Sequence, residues 1–343
     1  MIDSPRVALL REVGGWGDVT QCLAVARARK ARGPCRITFF AGEAYAEWVG
    51  RCPDVDEVWT VRRPEARKLL SGESPHDMSY FRAAGQFQEV IDLWCPASAH
   101  EQETAADGLL VTKDRLHCFL DAAGLPFAGL AQVRTTRDED LWLDGYIAGA
   151  LGPDAGKPYT VLAPRGVSPI RNWRKERWRA VIAYLEARGI PVVSLGEGYG
   201  GIEIGKQPYW TIAGILKRAA LLLAVDTGPL HVAGLYDVPT LGLFGMTDGE
   251  ITCRPYPQAR WIQGQGCPTG PCYYSTARGR SWECDVKGCR AMLDLSASRV
   301  LEALEPLAEG WPQEQPDLVD GGDAPLARLL ARSLGEKHRA KSA

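Results

Sequence analysis

The chain has 343 residues, of which 45% are hydrophobic and 24% charged, enough for two globular domains each with its own core. A formal charge of -2 gives no broad basic face, which excludes a general nucleic-acid or anionic-membrane binder, so any anion site must be local. No apolar stretch approaches the roughly 20 residues that span a bilayer, and RVALLR follows the start without an apolar signal region, so the expected location is the cytoplasm, with at most peripheral contact with the inner membrane. Of ten cysteines, Cys22, Cys35, Cys52, Cys95 and Cys118 stand singly in apolar or helical surroundings, as reduced buried thiols do.

The first half alternates strands and helices as a doubly wound sheet requires. RVALLR (6 to 11) is a strand, VGGWGD a glycine-rich turn, and a helix runs from about Val19 to Arg32. Gly15-x-Gly17 is followed by Thr20 where a dinucleotide fingerprint has its third glycine, and no acidic residue closes the next strand, which argues against a nicotinamide enzyme. Asp18 beside this helix start has the sequence position of a cap. Strands follow at 36 to 42, 56 to 61 and 89 to 94, with helices at 43 to 49 and 112 to 123. The polar spans 63 to 86 and 97 to 108 read as loops, and GALGPDAGKP, around 148 to 158, as a linker.

In the second half YTVLAP (159 to 164) is a strand leading into RGVSPIRNWRKERW, whose positive charges suit a solvated helix start. IPVVSLGEG (190 to 198) is the next strand, ending beside Glu197 as a candidate ribose partner, and Thr211 is placed to cap a helix at 212 to 220. Leu221 to Val225 has the length of a buried strand and ends on Asp226. Thr227 can cap the next helix, Gly228 allows close approach to the backbone, and Pro229 loses nothing as a first helical residue. A short helix to Tyr236, a turn at Asp237 to Pro239 and the strand Thr240 to Phe244 complete a parallel crossover. The loop at Asp226 therefore lies at the carboxyl end of a strand, where open α/β sheets bind ligands and a helix start suits phosphate. Cys267-x4-Cys272 and Cys284-x4-Cys289, separated by eleven residues, suit a tetrahedral structural metal, zinc or iron, although two disulfides or four thiols fit the same spacing. A helix at 296 to 307 comes next. After a polar Pro/Gly-rich stretch, Leu326, Leu329, Leu330 and Leu334 share one helical face, which docks on the body or on another subunit, so a homo-oligomer is left open.

DTGPLHVAGLYDVPTLGLFG (226 to 245) resembles the C-terminal signature of glycosyltransferase family 9, the heptosyltransferases. The resemblance extends to the Gly-x-Gly-Asp turn at Gly15, Gly17 and Asp18, and to the cysteine cluster, which is similar to that of the iron-holding autotransporter heptosyltransferases. It implies a GT-B architecture, two Rossmann-like doubly wound parallel-sheet domains facing a cleft: 1–152 for the acceptor, 153–308 for the nucleotide-sugar, and 309–343 as a tail. It further implies an inverting, metal-independent transfer of a sugar, heptose from ADP-heptose, to a hydroxyl of lipopolysaccharide core, protein or glycan. By the same resemblance Asp18 takes the role of base; Ser168, Arg171, Thr227 and Gly228 hold the diphosphate, and Asp226 or His231 positions the donor sugar or diphosphate. Trp210 falls where the family sets an apolar residue against the base. A shift of one insertion would replace Arg171 by Arg174 or Lys175. A nucleotide-sugar epimerase and a non-catalytic nucleotide-sugar-binding or assembly protein of the same fold are the other readings.

Overall fold

The computed structural model describes residues 4–11, 14–61, 87–93, 112–268, 270–272 and 288–307. The expected loops 63 to 86 and 97 to 108 lie outside these residues, as do Cys284 and the leucine face of the tail.

Strands β1 (Arg6–Arg11), β2 (Arg36–Gly42), β3 (Glu57–Val61) and β4 (Glu89–Asp92) pair in parallel in the order β3-β2-β1-β4. A second parallel sheet orders β5 (Thr160–Ala163), β6 (Val192–Ser194), β7 (Ile202–Glu203), β8 (Leu221–Val225), β9 (Thr240–Phe244) and β10 (Ala259–Gln263) as β10-β9-β8-β5-β6-β7. Parallel strands covered by helices are apolar on both faces. That is why β5, β8 and β9 are unbroken buried runs with no alternation. The two-domain doubly wound α/β arrangement is the one expected from the sequence.

In each sheet the winding reverses beside the earliest strand. β1 lies between β2 and β4, and β5 lies between β6 and β8, so the crevice at the carboxyl ends of β1 and β4, and that of β5 and β8, are the switch points where ligands sit in such folds.

The first domain carries α1 (Trp16–Ala31), α2 (Ala46–Gly50) and α3 (Arg115–Ala122), the last capped by Asp114, whose side chain accepts the His117 backbone N–H. α1 starts at Trp16, ahead of the expected Val19, so Gly17 and Asp18 are helical. The second domain carries α5 (Lys175–Ala187), α6 (Tyr209–Lys217), α7 (Gly228–Leu235), α8 (Gly249–Cys253), α9 (Arg290–Asp294) and α10 (Ala297–Leu304). Between them, α4 (Arg137–Leu151) opens on a capping box of Thr136 and Glu139, in a segment where no helix is expected from the sequence pattern.

One expectation is corrected. The helix placed at 212 to 220 begins at Tyr209, capped by Pro208, and Thr211 is inside it with a buried hydroxyl. The helix of 296 to 307 spans Ala297–Leu304, continues as a 3-10 turn to Leu307 and packs on α5: Val300 and Leu304 join that core, and the Tyr184 hydroxyl donates to Glu305. No helix of the described residues is long and apolar enough to cross a membrane.

Candidate active site at the two switch points

Arg11 ends β1 and is buried there, because its Nη1 donates to the Leu93 carbonyl beside the end of β4, at 2.7 Å. Its Nη2 lies 3.5 Å from Asp18 Oδ2. From α3, Arg115 Nη1 donates to Asp18 Oδ1 at 2.7 Å, and the Gly15 backbone N–H donates to Oδ2 at 3.1 Å. Asp18 is thus not the cap residue itself, a place Gly15 takes, but sits in the first turn and satisfies the Gly15 N–H as in a capping box, together with two guanidinium partners. Burial pushes the Asp18 carboxyl up, but the charges of Arg115 and Arg11 and the hydrogen bonds from Arg115 and Gly15 more than reverse it, leaving the group well below the usual carboxylate range.

Across the cleft, Asp226 ends β8 and is 7% exposed. Arg171 comes from the short 3-10 turn Pro169–Arg171 after β5 and brings Nη1 to 3.2 Å from Asp226 Oδ2. Ser168 starts that turn, and Arg171 N–H donates to its carbonyl at 3.0 Å. Thr227 occupies the cap position of α7 with extended backbone; its side chain makes no capping hydrogen bond, and its carbonyl accepts the Leu230 backbone N–H at 3.1 Å.

The two halves meet where α1 faces α7. A Cβ on Gly17 would lie 2.4 Å from Cδ2 of His231, so a side chain there forces its surroundings to shift, and one on Gly228 would press on Trp16 at 3.2 Å from its Cβ. His231 is buried, with Nδ1 3.0 Å from the Tyr256 hydroxyl. Burial lowers the His231 pKa, against the raising charges of Asp226 and Asp18. Asp18, Gly15 and Gly17 are thus brought to one side of the junction, and Ser168, Arg171, Asp226, Thr227, Gly228 and His231 to the other.

Trp210 lies in the first turn of α6, its ring 5.5 Å from that of Trp142 and under the Arg51 guanidinium at 5.0 Å. Arg174 is exposed and Lys175 sits over the Tyr199 ring at 5.2 Å, so Arg171 is the basic residue at Asp226. Glu197 is exposed. Of the four expected metal ligands, Cys267 and Cys272 pack against the second-domain core and Cys289 lies within it, while Cys284 is outside the described residues. Among the described residues no group of three His, Cys, Asp or Glu is placed to hold a metal ion.

Three residues of the cluster are not anticipated from the sequence: Arg11, Arg115 and Tyr256. Arg11 had a signal, a cation ending an otherwise apolar buried strand. Arg115 and Tyr256 reach their partners from 97 and 25 residues away, and nothing in their local sequence marks that.

Residues 205–279 match the model of glycosyltransferase family 9 (heptosyltransferase). Lipopolysaccharide heptosyltransferase 1 of Pseudomonas aeruginosa is 30% identical over 148 residues, covering 39% of this chain and 41% of that relative. The chain thus spans less than half the length of this curated relative. Among solved structures, a glycosyltransferase family 9 protein from Veillonella parvula superposes with a TM-score of 0.64 at 17% identity, covering 89% of this chain and 97% of that one. An Escherichia coli heptosyltransferase with ADP-2-deoxy-2-fluoro heptose superposes with a TM-score of 0.53 at 18% identity, covering 88% and 99%. The shared fold is the two-domain GT-B arrangement.

Proposed function

We propose that the protein is an inverting, metal-independent glycosyltransferase that moves heptose from ADP-heptose to a hydroxyl of lipopolysaccharide core, a protein or a glycan, acting in the cytoplasm. The observation that carries the reading is the opposition of two switch points, one holding a partly buried carboxylate and the other an arginine beside a helix start without a side-chain cap. The E. coli neighbour, with its ADP-heptose analogue, supplies the donor class.

In this mechanism the acceptor hydroxyl attacks the anomeric carbon on the face opposite the diphosphate, and the bond to the diphosphate oxygen breaks. Asp18 takes the hydroxyl proton. Its depressed pKa makes it a weak base at rest, so transfer occurs late, when bond formation has already made the hydroxyl acidic. Arg171, Ser168 and the amides at Thr227 and Gly228 stabilise charge on the leaving diphosphate, in place of a divalent ion. Arg171 must exchange Asp226 for phosphate to do so, which leaves Asp226 available to a sugar hydroxyl. A structural metal on Cys267, Cys272, Cys284 and Cys289 is a separate proposal and takes no step in the transfer.

Calorimetric titration with ADP, UDP, GDP, CDP and dTDP, with and without EDTA, tests the reading. Preference for ADP that EDTA leaves unchanged is the expected outcome. Preference for another nucleotide removes the ADP-sugar, and no binding removes the donor site. Elemental analysis of the same preparation decides the cysteine proposal, which ends if no metal is found.

A further inference from the structure

His231 lies in the middle of α7, and both of its edges are held. On one edge, Nδ1 is 3.0 Å from the hydroxyl of Tyr256, a residue just 3% exposed. On the other, a Cβ added to Gly17 would come within 2.4 Å of Cδ2 and 3.2 Å of Nε2, so the Cδ2–Nε2 edge faces the start of α1. Tyr256 is itself seated without slack, since a Cβ on Gly234, one turn along α7, would lie 2.1 Å from its Cδ1.

The Nδ1 contact can be made in two ways: the phenol O–H donates to a bare Nδ1, or an Nδ1–H donates to the phenol oxygen. In the second arrangement the phenol proton needs another acceptor, and among the described residues the Tyr256 hydroxyl has His231 alone as a hydrogen-bond partner. A buried hydroxyl proton left without an acceptor is costly. The phenol also stays protonated, because burial raises its pKa well above the ordinary tyrosine value. The first arrangement therefore wins, and Nδ1 is bare. The ring is neutral, because burial outweighs the raising charges of Asp226 and Asp18, while Arg115 and Arg171 oppose them. A neutral ring with a bare Nδ1 carries its proton on Nε2.

We propose that Tyr256 is a positioning residue that fixes His231 in the Nε2–H tautomer, so that His231 is a hydrogen-bond donor to an anionic phosphate oxygen in the cleft and not a proton acceptor. The tautomer follows from the pair and its burial; the phosphate partner rests on the proposed donor site. It assigns opposite parts to the two groups facing each other at the α1–α7 junction: Asp18 accepts and His231 donates.

Nitrogen-15 NMR of the full chain tests this, with the His231 signals assigned by their loss in His231→Gln. The expected spectrum shows Nδ1 at the shift of a bare ring nitrogen and Nε2 at that of a protonated one. Tyr256→Phe keeps the seated ring and removes the hydroxyl; it should give a mixture of tautomers and weaken ADP binding by about 5- to 10-fold, the worth of one buried hydrogen bond. His231→Gln, which can place an amide N–H near the Nε2 position, should bind ADP more tightly than His231→Ala. An Nδ1–H or imidazolium ring in the wild type, or an unchanged tautomer in a folded Tyr256→Phe protein, overturns the assignment. Wild-type protein with the expected tautomer and no affinity for any nucleoside diphosphate upholds the Tyr256 assignment and overturns the donor-site reading instead.

Discussion

Asp18 has three hydrogen-bonding or charged partners within 3.5 Å, and its ionisation contributes to stability as well as to the proposed chemistry. Its folded pKa lies below the unfolded value of about 3.9, so its contribution is fully present above that pH and is lost as pH falls through the lower folded value. Asp18→Asn should therefore abolish sugar transfer while leaving ADP affinity within about 2-fold, and its stability deficit against the wild type should shrink as the pH is lowered from 6 to 3. Urea denaturation at each pH reads the second effect; a deficit that does not change with pH would mean that the carboxylate's charge is irrelevant to folding. At this scale the sequence disclosed residues that sit in recognisable turns. Gly15, Gly17 and Asp18 follow a strand, and Asp226, Thr227 and Gly228 follow another, so their positions at sheet edges were legible from local pattern alone. The residues that set the electrostatics of the same site were not, because Arg115 and Tyr256 are brought in by tertiary packing, and an arginine on a helix reads as solvated until its partner is known.

The junction of α1 and α7 makes a sharper demand than any single charge. Gly17→Ala would put a methyl group inside the contact distance of the His231 ring, so α1 and α7 must part, at a cost of about 1–3 kcal/mol for overpacking a filled contact. Transfer activity should fall with it, since Asp18 and His231 lie on the two elements being separated. Gly145→Ala, on the exposed side of α4 with open space around it, should instead stabilise by about 0.5–1 kcal/mol, the ordinary gain of alanine over glycine in a helix. Equal effects of the two substitutions in thermal unfolding would contradict the packing described. Element boundaries were legible wherever an apolar run was long and bounded by turns, as at β1, β2, β8 and β9. α4 was missed although Thr136 and Glu139 form a capping box, because Gly145 and Gly149 dilute its helical pattern and its first turn is wholly polar. Its apolar face consists of Leu143, Ile147 and Leu151, and the partner that makes the face meaningful, α6, lies far along the chain.

The largest apolar cluster runs without interruption through both sheets, from Val7 and Leu9 to Val161 and Leu222. Leu143 from α4 fills the space beside Gly214 in α6, and Arg218 binds Asp140 at 2.8 Å and Asp144 at 2.7 Å around that contact. At its other side, Arg51 of the first domain grips Glu139 through both guanidinium nitrogens at 2.8 Å. Chemical unfolding followed by far-ultraviolet circular dichroism and by tryptophan fluorescence should accordingly give one coincident transition. Leu143→Ala should destabilise by about 2–5 kcal/mol and move both probes together. Separate midpoints would mean that the domains are independent folding units.

α4 also settles where the molecule can be cut. By chain order the helix closes the first half, and the glycine-rich turn after Leu151 looks like the natural seam. By packing it is bound to the second half, through Leu143, Asp140 and Asp144. Two fragments meant to reassemble into a working whole would keep their surfaces intact if divided ahead of Thr136, with one interface formed around the Arg51–Glu139 pair; divided after Leu151, the first fragment would carry an apolar helix face with its partner on the other piece.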